Sequence, residues 1–90
     1  MAKEVIVKRV PKDVGVQARI DDRALTFGPD GTARITLDAG IHMLVYFLVA
    51  APGTEFTIAI TAPPEATWSR SHRVPSDGIT IGTKKFKVNQ

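Results

Sequence analysis

An all-β sandwich is the fold class this chain predicts, and three observations predict it. Turn-forming residues recur roughly every eight to twelve positions, and the runs between them are rich in β-branched and aromatic residues. Several of those runs alternate apolar with polar groups, the period of a half-buried strand. No window holds a helical period free of turn residues; the one helix candidate, residues 41–51, is so rich in Ile, Val, Tyr and Phe that extended chain is favoured. Seven or eight short strands with one apolar face each bury those faces by packing sheet on sheet. The 90 residues therefore read as one antiparallel β-sandwich domain spanning residues 1–90.

The elements follow in order. Val14, Val16, Ala18 and Ile20 point one way while Gly15, Gln17 and Arg19 point the other. Gly28-Pro29-Asp30-Gly31 combines a preset proline φ, an Asp that bonds the local backbone and a glycine free to take positive φ, which predicts a hairpin over residues 24–37. Beyond it Ala33, Ile35 and Leu37 oppose Arg34 and Thr36, and after Pro52-Gly53 the residues Phe56, Ile58 and Ile60 oppose Thr57, Ala59 and Thr61. At the C-terminal end Ile79 and Ile81 set an odd inward phase and Phe86 and Val88 an even one. The switch predicts a bulge or bend at Gly82-Thr83, with residues 83–89 as a separate strand.

Residues 41–51 differ from all of these, because they are apolar on both faces. Ile41, Met43, Val45, Phe47 and Val49 form one row; His42, Leu44, Tyr46, Leu48 and Ala50 form the other. One row joins the core, and the second needs a cover, since each large apolar side chain left in water forgoes roughly 1.5–3 kcal/mol of burial. With Leu44, Tyr46 and Leu48 as the outward group, the cover is residues 64–75 with Trp68, a second copy of the chain or a foreign protein partner. Cover by the chain's own residues comes first among the three; where the face contacts another molecule, a second copy, making a homodimer, is the leading expectation.

Composition excludes much else. With no cysteine, the chain has no disulfide, no thiolate metal site and no thiol nucleophile. The first nine residues hold neither an apolar h-region nor a small-residue cleavage site, and the run over residues 43–52 is half the ~20 residues of a membrane helix, so neither a signal peptide nor a membrane association is expected. The compartment stays open. Charge is uneven: residues 1–12 sum to +3, residues 66–90 to +4 and the middle to −4. If the first and last strands lie together they make a basic strip, suited to keeping a sheet edge from pairing with other chains.

Chemistry-bearing groups are sparse. His42 and His72 are the only histidines, and a metal site would need them to meet a carboxylate such as Asp38 or Asp77; no metal and no cofactor is expected. Ser69, Ser71 and Ser76 crowd around His72 and Asp77 without a nucleophile elbow, and Gly82-Thr83-Lys84 lacks the upstream glycine of a phosphate loop, so no catalytic residue is assigned. The best ligand-site candidate is Trp68, Arg70, His72 and Arg73, where an exposed indole among cations would stack on a glycan and bind its hydroxyls, or bind an anionic polymer. The competing account puts the lone Trp in the core, with the arginines keeping an edge soluble. Nucleic acid is not expected, since Tyr46 and Phe47 point to opposite faces and no aromatic platform results.

Ala18-Arg-Ile-Asp-Asp, Asp30-Gly31 and Leu37-Asp-Ala-Gly-Ile-His-Met-Leu-Val-Tyr resemble the turn-and-strand steps of small bacterial PEGA-type and other immunoglobulin-like modules, over about residues 16–50. That resemblance implies a non-catalytic accessory or interaction module and names no site residues. The expected function is a non-enzymatic interaction or assembly module that associates through Leu44, Tyr46 and Leu48; a small glycan- or anion-binding module is the alternative.

Overall fold

A computed structural model describes residues 2–90, which form eight strands and one short 3-10 turn. The strands are β1 (Lys3–Val10), β2 (Gln17–Ile20), β3 (Arg23–Ala24), β4 (Thr32–Leu37), β5 (Gly40–Val49), β6 (Glu55–Ala62), β7 (Trp68–Arg73) and β8 (Ile79–Val88), with the 3-10 turn over Pro64–Ala66. They pair in two antiparallel sheets, ordered β4-β1-β6-β7 and β3-β2-β5-β8. The two inner faces meet over one core that includes Val5, Val7, Ile20, Leu44, Tyr46, Leu48, Ile58 and Ile60, every one of them at most 2% exposed. This is the predicted β-sandwich. No helix among the described residues is long and apolar enough to cross a membrane.

The alternating strands face as their patterns require. Ala18 and Ile20 on β2, Ala33 and Leu37 on β4, Phe56, Ile58 and Ile60 on β6, and Phe86 and Val88 on β8 are all buried, while the residues between them are exposed or half-buried. Three expectations about connections change. Residues 24–37 are not a hairpin: the turn exists, closed by Gly31 N–H to Gly28 O at 3.0 Å and Gly28 N–H to Thr32 O at 2.8 Å, but β3 pairs with β2 and β4 pairs with β1, so the turn carries the chain from one sheet to the other. At its end Gly31 takes φ +80°, with its α-carbon so close to the backbone of Arg9 and Lys12 that a β-carbon has no room. The terminal strands are not neighbours either, since β1 is interior to its sheet and β8 is an edge of the other. The chain ends meet instead at Glu65, which accepts from Lys3 Nζ at 2.8 Å and from Asn89 N–H at 3.0 Å, and these bonds pull its carboxyl down to about 2.

The third change concerns β8. It runs unbroken from Ile79 to Val88 against β5, Val49 opposite Ile79 and Gly40 opposite Val88, with one phase throughout. There is no bulge at Gly82-Thr83, so Ile79 and Ile81 point away from the core, at 46% and 69% exposure. Gly82 has another cause: it lies opposite Tyr46, and a β-carbon there would overlap the tyrosine ring.

Candidate functional site

The outer face of the β3-β2-β5-β8 sheet carries five of the six exposed large apolar side chains among the described residues. Ile41, Phe47 and Val49 of β5 are exposed on it, at 67%, 40% and 68%, with Met43 and Val45 half-buried between them. Antiparallel register places Phe47 beside Ile81 and Val49 beside Ile79, so the exposed rows of two strands merge into one patch. Toward the other end of the sheet the neighbours become Lys85, opposite Met43, and Lys87, opposite Ile41, while Arg19 of β2 flanks Val45. A shallow hollow of about 300 Å³ between β2 and β5 is lined by Gln17, Ala18, Arg19, Ala24, Val45 and Phe47.

The opposite outer face is chemically different. On the β4-β1-β6-β7 sheet Arg34 donates to Glu4 at 3.0 Å and Thr57 bonds Ser71 at 2.8 Å, and Lys8 and Arg73 add further charge there. Val10, 46% exposed, is the one exposed large apolar side chain of that sheet. A hollow of about 490 Å³ beside it is lined by Val10, Pro11 and residues 55–57 and 71–73. Its two walls are cross-strand pairs of β6 and β7, Glu55 opposite Arg73 and Thr57 opposite Ser71. That surface suits water as it stands.

Leu44, Tyr46 and Leu48 are not the outward row. The structure places them in the core at 0%, 0% and 2% exposure, and the row expected inside is the one outside. Either row could fill a core by apolarity alone; the neighbours decide. The even row of β5 shares its face with Ala18 and Ile20 of β2 and Phe86 and Val88 of β8, while the odd row shares its face with Gln17, Arg19, Lys85 and Lys87. Burying the odd row would bury those cations. Pairing residues 41–51 with the 79–88 strand in a single phase was the signal that finds this.

The Trp68–Arg73 segment is strand β7, and its residues divide by parity. Trp68, Arg70 and His72 look toward the other sheet; Arg73 lies on the outer face, opposite Glu55. Trp68 is half-buried against the core with its ring 6.3 Å from that of Tyr46, and the Arg70 guanidinium covers it at 5.4 Å. His72 is wedged between Phe56, stacked at 5.2 Å, and Tyr46, whose hydroxyl lies 2.6 Å from its Nε2. Burial, then the nearby Arg70 charge, push His72 below its usual range, while burial raises Tyr46. Both shifts favour a neutral phenol beside a neutral imidazole. The four residues do not form an open stacking platform; three of them close the side of the sandwich between edge strands β7 and β8.

His42 stands far from this cluster. Its Nδ1 is 2.7 Å from Asp21 Oδ2 and its Nε2 is 2.9 Å from the Asp38 carbonyl, while Asp21 Oδ1 also accepts the Met43 N–H at 3.0 Å. Asp21 takes φ +55°, the left-handed region that Asp tolerates, and its carboxylate clamps the β2–β3 turn to the start of β5. Burial disfavours the imidazolium, yet the Asp21 and Asp38 bonds and charges outweigh it and raise His42, while Asp21 is lowered chiefly by the His42 bond. The two histidines thus serve separate structural contacts, and among the described residues no three His, Cys, Asp or Glu side chains stand together as a metal site.

The fold and these surfaces define a class: an all-β module whose described residues form eight strands in two antiparallel sheets. Comparison with protein-family models, with characterised proteins and with solved structures gives no match.

Proposed function

We propose that this chain is a non-enzymatic assembly module of the immunoglobulin-like kind, which associates with a second copy of itself through the outer face of the β2-β5-β8 layer. The observation that carries this reading is the merged patch of Phe47, Val49, Ile79 and Ile81, extended by Ile41, on one sheet while the other sheet exposes Val10 alone among its large apolar side chains. Its apolar area, on the order of 500 Å², is at the upper end of what monomers leave exposed. That supplies most of the ~800 Å² per partner that a standard interface buries, with Arg19, Lys85 and Lys87 as a charged rim.

Val49 is the side chain to change, because it is highly exposed, sits beside Ile79 in the patch and is not among the side chains packed on the core. Light scattering after size exclusion, over about two decades of concentration, is expected to give a dimer or higher species for the natural chain. It is expected to give a lower mass for Val49→Lys with unchanged circular dichroism. A natural chain that stays monomeric throughout overturns the reading.

A further inference from the structure

We propose that β8 is a second self-pairing surface, joining edge to edge and antiparallel with β8 of another copy, with Ile81 opposite Ile81. The inference rests on the self-assembly reading and adds a contact of a different kind, made by backbone rather than by the apolar face.

The first ground is an open ladder. Ala50 N–H donates to Gly78 O at 3.0 Å, which makes the even positions of β8 the ones bonded to β5. The N–H and C=O groups of Ile81, Thr83, Lys85 and Lys87 therefore point away from the sheet. Ile79 belongs to the same row, and its N–H is held by Asp77 Oδ1 at 3.1 Å.

The second ground is that this edge alone lacks protection over part of its length. Of the other edges, β3 is two residues long, β4 carries Arg34 and has its Thr36 carbonyl capped by Arg23 at 2.8 Å, and β7 carries Arg70 and Arg73. The second half of β8 has lysines, but Ile79–Thr83 has no charge, no proline and no bulge across five strand residues.

Register follows from charge. Hydrogen bonding requires odd positions opposite odd positions. Centring on Thr83 or Lys85 sets lysines against isoleucines or against each other, and centring on Gly82 sets Ile79 against Lys85. Centring on Ile81 pairs Ile79 with Thr83 and brings Lys85 of each copy opposite Asp77 of the other. Asp77 is the only carboxylate in residues 66–90, and it exchanges its bond to Ile79 N–H for that lysine. Two distinct two-fold contacts, by face and by edge, close into a tetramer where their axes cross at right angles and extend into a filament where they do not.

Amide hydrogen exchange on the natural chain tests this directly, with Thr80, Gly82 and Lys84 as internal references because they are bonded to β5 in every state. Ile81 and Thr83 amides are expected to slow by at least about tenfold as concentration rises through association. Lys85→Asp is expected to lower the associated mass, and Lys85→Asp with Asp77→Lys to restore it. Association with freely exchanging Ile81 and Thr83 amides overturns the edge contact and leaves the face contact standing. Failure of the charge swap to restore mass overturns the register, and hence the proposal. A monomer at every concentration overturns the self-assembly reading itself.

Discussion

The hydroxyl of Tyr46 on β5 reaches His72 Nε2 on β7 at 2.6 Å, a bond that crosses from one sheet to the other at the open side of the sandwich. Tyr46 is fully buried, so its hydroxyl needs a partner, and His72, whose imidazolium is disfavoured by burial and Arg70, supplies it. Phe56 stacked on His72 and Trp68 beside Tyr46 hold both rings in place. Tyr46→Phe keeps the ring and leaves His72 without its bond. Urea denaturation is expected to show a loss of about 1 kcal/mol, within the ~0.5–1.5 kcal/mol of an ordinary intramolecular hydrogen bond. An unchanged midpoint would show that the bond adds nothing.

Gly82 is tied to the same ring. Its own φ is ordinary, so its role is space: the Tyr46 ring occupies the volume of a β-carbon. Gly82→Ala is expected to cost about 1–3 kcal/mol, the range for forcing extra atoms into a packed site. In a Tyr46→Leu background the same substitution is expected to cost less by at least about 0.5 kcal/mol, the coupling of residues in direct contact. Additive costs in urea titrations would break the link between the two residues.

Most of the fold was legible in the sequence because it rests on alternation. The spacing of Ala18 and Ile20, or of Phe56, Ile58 and Ile60, leaves only one face for the core, and the structure uses it. What was not legible depends on partners distant in sequence. A strand apolar on both faces does not say which row is inside; for β5 the answer lies in the lysines of β8, more than forty residues along the chain in the Met43–Lys85 pair. Ile79 and Ile81 misled for the matching reason, since a β-branched outward row of an edge strand has the same pattern as an inward one. Gly82 read as a bulge because a glycine in a strand marks either a backbone irregularity or a close approach, and only the tyrosine across the ladder tells which. Trp68 was legible as core filling; the role of His72 was not, because its hydroxyl partner is twenty-six residues away.

The inversion of the β5 rows makes Leu44 a stability residue. It is completely buried, paired across the ladder with Ile20 and Lys84, and its face continues into the core. Leu44→Ala is expected to cost about 2–5 kcal/mol, the range for large-to-small changes in a packed core. Leu44→Asp is expected to unfold the chain, since a buried carboxylate finds no partner there. Denaturant melts of Leu44→Ala beside Val49→Lys check the assignment: the first lowers the midpoint with little effect on association per folded molecule, the second does the reverse. A Leu44→Ala chain as stable as the parent would put Leu44 back on the surface.

The two histidines set the pH of greatest stability. Both ring nitrogens of His42 face acceptors, the Asp21 carboxylate and the Asp38 carbonyl, so the folded state favours the imidazolium and raises its pKa above 6.5. Its stabilisation is complete below 6.5 and is lost as pH rises through the raised value. His72 runs the other way: burial and Arg70 lower its pKa, so its contribution is complete above 6.5 and is lost as pH falls through the lowered value. The two windows adjoin, and stability is expected to peak near pH 6.5 and decline on both sides. Asp21, lowered below 3.8 by the His42 bond, adds a further loss only at much lower pH. Urea midpoints measured between about pH 5 and about pH 8 bracket both windows. His42→Gln is expected to flatten the alkaline side alone and His72→Gln the acid side alone. If either substitution instead flattened both sides, the separate roles assigned to the two rings would fail.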